Sequence, residues 1–214
     1  MSSLTRFVQS IGIRRNFSTA VPETSRLIYA SNNSGLVKLI KLFSVSTLGI
    51  SSAATPAVMY FWDSPAVQAT ELSGYMFLGA LAASTCSTGA LHFMLSPYVH
   101  TIQLHSPPRK TVTAADTITP NSVVTLETLD MFARKRETTL ALRDLVPNPG
   151  MFSTWKVSKK VLNRQFELER VKGIPPTIHQ DKFWLDQRDA RGDGPVMANL
   201  IRVVEEHDRR QRLI

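Results

Sequence analysis

Two apolar runs dominate the hydropathy pattern of this chain. Leu42 to Trp62 and Leu72 to Leu95 extend for 21 and 24 residues without an Asp, Glu, Lys or Arg, and the nine-residue gap between them carries only Asp63 and Glu71 as charges. A bilayer core takes about 20 apolar helical residues to cross, because each rises about 1.5 Å and no backbone polar group can stay unpaired in lipid. The pattern therefore predicts a transmembrane hairpin. The first run is the more diluted, with Ser44, Ser46, Thr47, Ser51, Ser52, Thr55 and Pro56 among its apolar residues. Tyr60, Phe61 and Trp62 end it and Tyr75 opens the second, where amphipathic rings favour the lipid–water boundary. The competing reading is a pair of buried helices in a soluble protein.

Around the hairpin the pattern changes. Residues 20–37 are polar and broken by Pro22 and Gly35, which reads as a linker. Pro97 ends the second helix, and Tyr98 to His105 alternates apolar and polar positions as a short strand does. Ser106 to Pro120 is expected to be loop, interrupted by a short strand around Lys110 to Ala114. Val123 to about Phe132 and Thr138 to Leu145 are expected to pair as a β-hairpin across the polar turn Arg134 to Glu137. Pro147-Asn148-Pro149-Gly150 reads as a breaker, followed by an extended piece from Met151 to Val157. Val157 to Val171 fits an amphipathic helix stopped by Gly173, Pro175 and Pro176. A last helix starts at Asp193 or Gly194, with Pro195 in its first turn and Leu200, Ile201, Val203 and Val204 on its apolar side.

The predicted fold class is thus a membrane α+β protein: a two-helix transmembrane hairpin, then a small antiparallel β-rich region and C-terminal helices. The expected divisions are a transit peptide at 1–17, a linker at 18–37, the hairpin at 38–96 with spans at about 42–62 and 72–95, a β-rich matrix domain at 97–157 and a helical extension at 158–214.

Charge adds an address and an orientation. No acid precedes Glu23, while Arg6, Arg14 and Arg15 are interleaved with Leu4, Phe7, Val8, Ile11 and Ile13. Such an Arg- and Ser-rich, acid-poor amphipathic start matches a mitochondrial transit peptide, and it lacks the continuous apolar core of a secretory signal. Arg15, Phe17 and Ser18 fit a processing site with the cut after Phe17. Lys38 and Lys41 precede the first span and Arg109 and Lys110 follow the second, so both termini are expected on one side. Import then implies the mitochondrial inner membrane, with both termini in the matrix. The net charge is +8, but the chain from Pro97 onward holds 19 basic and 14 acidic residues. That mixed surplus suits solvation or attraction to anionic lipid and excludes a dense nucleic-acid-binding face, so no nucleic acid is expected as a partner.

Candidate chemistry is sparse. Phosphate-cradling glycine loops, a serine nucleophile elbow and a His-Glu-x-x-His pair are all missing from the sequence. No metal or cofactor is expected. His92 lies in the second span with His100 and His105 just after it, so haem ligation or proton transfer is the sharp reading. A neutral His92 bonded near the helix end is the plain one. Cys86, the only cysteine, cannot form a disulfide within the chain. Arg191-Gly192-Asp193 reads as a turn before the last helix. One feature stands out in the second span: Gly79, Ala83 and Ser87 recur every four residues, with Ala80, Ser84 and Thr88 beside them. Small-residue strips let helix backbones approach closely where lipid offers no hydrophobic drive. The strip serves either packing within the hairpin, against Ala53 and Ala57, or docking of another protein's small-residue helices; a homo-oligomer is a separate partner expectation.

The hairpin, followed by Pro97-Tyr98-Val99, Thr125 to Leu129 and Thr139 to Pro147 in that order, resembles the transmembrane protein 70 family and its relatives, transmembrane proteins 186 and 223. The likeness covers about residues 36–157. It implies a non-enzymatic assembly factor for mitochondrial respiratory complexes or ATP synthase, of the kind that acts on the small-residue-rich subunit c and on complex I. The partners so implied are the membrane and unassembled membrane subunits. An accessory structural subunit of a respiratory-chain complex is the alternative, and a membrane enzyme or haem carrier using His92 and His100 is the third reading.

Overall fold

The computed structural model describes residues 24–65, 69, 74–106, 118–173, 176–186, 188 and 191–213. The expected transit peptide, including Arg15, Phe17 and Ser18, and the strand expected around Lys110 to Ala114 lie outside the described residues. In chain order the elements are β1 (Thr24–Ala30), α1 (Ser34–Tyr60), α2 (Gly74–Leu95), β2 (Val99–Ser106), β3 (Val123–Leu129) and β4 (Lys135–Ala141). A 3-10 turn (Leu142–Asp144) leads to β5 (Leu145–Gly150), β6 (Ser153–Val157), α3 (Lys159–Lys172), β7 (Lys182–Phe183), β8 (Arg191–Gly192) and α4 (Gly194–Arg212). The α+β class expected from the pattern is the one found.

Both long helices run through the predicted spans, and each is long and apolar enough to cross a membrane. Only 17 % and 6 % of their most apolar windows are buried. Buried helices of a soluble protein would be covered; here Leu39, Phe43, Ile50, Met76, Leu78 and Phe93 face outward. Several hydroxyls that dilute the first run return to their own helix. Thr47 Oγ1 donates to the Phe43 carbonyl at 2.8 Å and Thr55 Oγ1 to that of Ser51 at 2.8 Å. In the second run Thr85 Oγ1 donates to the Leu81 carbonyl. Satisfied in this way, Ser and Thr are tolerated in lipid.

Five antiparallel strands form one sheet in the order β4-β3-β2-β1-β8, and three form a second in the order β5-β6-β7. The segment expected to be linker holds β1, a strand in the interior of the larger sheet. It pairs with β2 from Thr24 opposite Ser106 to Ala30 opposite Thr101. The hairpin is therefore inserted between two neighbouring strands, β1 leading into α1 and β2 leaving α2. A bulge between Leu27 and Tyr29 lets the consecutive Ile28 and Tyr29 both be buried, which breaks the alternation that marks a strand in sequence.

The β3–β4 hairpin exists, but its turn falls at Asp130 to Arg134 rather than at Arg134 to Glu137, because Lys135 opposes Leu129 in the ladder. Asp130 Oδ1 accepts from the amides of Phe132 and Arg134 at 2.9 and 2.8 Å, and Ala133 takes a left-handed φ of 57°. The expected breaker at 147–150 belongs to β5, an edge strand, where proline removes no ladder bond that matters. Of the C-terminal helices, α4 is no appendage. Its Val196, Leu200 and Val204 join Ile28, Ile102, Leu126, Leu145, Trp155 and Phe183 in one core. Arg191-Gly192-Asp193 supplies β8 and the start of α4: Gly192 pairs with Tyr29, and Asp193 caps the helix by accepting from the Val196 amide. The sheet domain thus draws on both sides of the hairpin and on the chain's end.

Candidate functional site: the hairpin and its foot

The two membrane helices meet along a seam. On α1 the covered positions include Val37, Lys41, Ser44, Leu48, Ser51, Thr55 and Val58, with Ile40, Val45 and Ala54 part-covered beside them; on α2 they include Phe77, Leu81, Ser84, Thr88, His92 and Leu95. Steps of three and four residues keep such a seam facing its partner, as in a left-handed coiled pair. At its centre Ser44 Oγ donates to Thr88 Oγ1 at 3.0 Å, both residues buried. At the far end the Trp62 ring lies over Gly74, 3.6 Å from where a Cβ would sit.

This seam divides the small-residue strip. Ser84 faces α1, beside the buried Thr88, whereas Gly79, Ala80, Ala83 and Ser87 are exposed. A Cβ built on Gly79 meets nothing within 4 Å. Ala53 and Ala57, expected to meet the strip, are exposed on α1 and take no part in the seam, because the heptad spacing of the covered residues turns them outward. Ser84 and Ser87 also line a groove of about 220 Å³ with Leu39, Ile40, Phe43, Ser44, Thr47, Thr88 and Leu91. The strip residues thus stand at the hairpin's outer face, except Ser84 at the edge of the seam.

Below the seam the helices are fixed to the sheet. Lys41, 3 % exposed, sends its ammonium to the Leu129 carbonyl at 2.8 Å and to that of Asp130 at 3.5 Å. Ser31, in the link from β1 to α1, donates its amide to the His100 carbonyl at 2.8 Å, and its hydroxyl bonds the Tyr98 hydroxyl. Tyr29 OH donates to the Asp186 carbonyl and accepts from the Asp186 amide, and burial pushes its phenol up to about 12. These bonds bring α1, β1, β2, β3 and the loop before β8 to one place. Sequence reasoning missed Lys41 as an anchor, reading it only as a flanking charge; the signal was a lysine directly abutting an apolar run.

Among the described residues, no group of three or more His, Cys, Asp or Glu stands ready to hold a metal. His100 is buried, its ring edge-on to Tyr98 at 5.6 Å between centroids. Desolvation, opposed by Glu127 and reinforced by Lys41, Lys135 and Lys38, pushes its pKa down to about 4, so the ring is neutral at physiological pH. His92 sits in the seam, within electrostatic reach of Lys41, Asp130 and Arg136. Cys86 is exposed on α2.

Residues 24–166 match the model of the TMEM70/TMEM186/TMEM223 protein family. The match begins at β1 and ends within α3, so it takes in the hairpin and strands β1 to β6 while leaving out β7, β8 and α4. No curated protein matches the chain. With two exposed apolar helices inserted between paired strands, and a family match over most of its length, the chain is a membrane protein of the TMEM70/TMEM186/TMEM223 family.

Proposed function

We propose that this protein is a non-enzymatic assembly factor of the mitochondrial inner membrane, with both termini in the matrix, that shelters membrane helices of an unassembled respiratory-complex or ATP synthase subunit. The observation that carries this reading is the outward placement of Gly79, Ala83 and Ser87: hairpin packing uses another face of α2 and leaves this row open. Close approach along such a row favours partner helices that are themselves rich in small residues. Family membership supports the assembly role, and the acid-poor, Arg-rich start supports import. The sheet domain, locked to the hairpin foot, holds the extramembrane part of the client close to the bilayer.

The test is co-purification from mitochondria. Replacing Gly79 and Ala83 with Leu puts branched side chains into open space, so membrane insertion is retained while recovery of the client subunit falls. Unchanged client recovery by an inserted variant contradicts the proposed docking face.

A further inference from the structure

The β3–β4 turn is held at the foot of the hairpin, and its composition is that of a membrane-contact loop. Counting back from the Tyr60-Phe61-Trp62 belt, about 20 residues span the hydrocarbon core, which brings its other boundary to Lys41. Lys41 bonds the carbonyls of Leu129 and Asp130, so the turn that follows lies at headgroup level. At its tip Phe132 is 56 % exposed, an apolar side chain with no core to enter. The Arg134 guanidinium stands 5.6 Å from the Phe132 ring centroid.

The charges around it are arranged with cations outermost. Lys38, Arg134, Lys135 and Arg136 are exposed, whereas the acids beside them are covered: Glu127 beneath Lys135 and Asp130 beneath Arg136 have side chains 10 % and 12 % exposed. Glu137, farther up β4, is the exposed acid of this edge. The turn is also rigid, with Asp130 Oδ1 accepting two amides and Lys41 fixing its base. An aromatic ring flanked by outward cations, held rigidly at the level where a bilayer ends, matches the chemistry of anionic headgroups above shallow acyl chains.

The geometry points to this turn as a second membrane-contact site: Phe132 enters the interface beside the hairpin, and Lys38, Arg134 and Arg136 engage anionic lipid headgroups. This contact fixes the sheet domain's tilt against the bilayer, independently of any client bound along α2.

The experiment uses the full chain reconstituted into vesicles of phosphatidylcholine, with or without phosphatidylglycerol. An environment-sensitive fluorophore is placed at Phe132→Cys in a Cys86→Ser background, and a second preparation is labelled at the native Cys86. Nitroxide lipids report bilayer contact and aqueous iodide reports exposure. The Cys86 label is expected to be quenched by deep nitroxides in both vesicle types. The label at 132 is expected to be quenched by shallow nitroxides in anionic vesicles, with that contact falling at least about fivefold for each of K38E and R134E, which replace a cation by an anion. Iodide access at 132 that is equal in both vesicle types, without nitroxide quenching, overturns the proposal while the Cys86 label shows the hairpin inserted. Shallow contact that is the same in neutral and anionic vesicles and survives K38E and R134E overturns the assignment to anionic headgroups.

Discussion

The ammonium of Lys41 in α1 donates to the carbonyl of Leu129 at the end of β3, 2.8 Å away, from a position almost wholly removed from solvent. A membrane helix and a sheet separated by 88 residues in sequence are thereby joined through one lysine side chain. Removing the donor leaves a buried carbonyl without it, at a penalty of about 1 to 3 kcal/mol. Lys41→Met is expected to raise amide exchange across 129–134 in the solubilised full chain while sparing the amides of α4. Unaltered exchange in the turn contradicts the role of Lys41 as the link.

Gly192 allows the close approach of β8 to β1. Its φ is +145°, and a Cβ there would lie 2.3 Å from the Ile28 carbonyl oxygen, at the bulge. Backbone, not a flexible side chain, stands in the way. Gly192→Ala is expected to destabilise the sheet domain by about 2 kcal/mol or more, seen as a fall in the thermal unfolding midpoint, and an unchanged midpoint contradicts the packing.

Asp193 has two tasks, accepting from the Val196 amide as N-cap of α4 and pairing with Arg26 of β1. Loss of a capping side chain removes about 0.5 to 2 kcal/mol, whereas a half-exposed ion pair contributes about 1 kcal/mol at most. Asp193→Ala is therefore expected to destabilise more than Asp193→Asn, which keeps the cap. Equal losses in urea unfolding mean that the ion pair with Arg26 outweighs the cap, and they contradict this division.

Burial makes stability depend on pH through His100. Its folded pKa of about 4 lies below the ordinary 6.5, so the unfolded chain binds the proton more readily between those values. The contribution of the neutral ring is fully present above pH 6.5 and is lost as pH falls through about 4. The full effect is at most about 3.5 kcal/mol, at about 1.4 kcal/mol per pH unit. Stability measured between about pH 6.5 and 4.5 is expected to fall less steeply in His100→Gln than in the parent.

How far the chain could be read before its fold was known follows from the range of each contact. The spans were legible because length and the absence of charge suffice to mark them, and α4 because Asp193, Pro195 and the apolar spacing are local signals. β1 was not legible: its bulge at Ile28 breaks the alternation, and its partner β2 lies across the whole hairpin. β5 was obscured by Pro147 and Pro149, which only its edge position makes tolerable. The small residues of α2 were visible as a strip, but they occupy more than one face. Only the seam through Ser44 and Thr88 decides which of them α1 covers and which, like Gly79 and Ala83, it leaves open.

If the open row on α2 receives clients as proposed, before their complexes are complete, the protein must be found with partial assemblies. The most direct test is quantitative co-purification of the tagged full-length protein from mitochondria, resolved by the size of the assemblies recovered. Substoichiometric recovery with partial assemblies of a respiratory complex or ATP synthase is the expected result. Recovery chiefly within a mature complex, in fixed stoichiometry with its subunits, contradicts the assembly role and identifies a resident structural subunit instead.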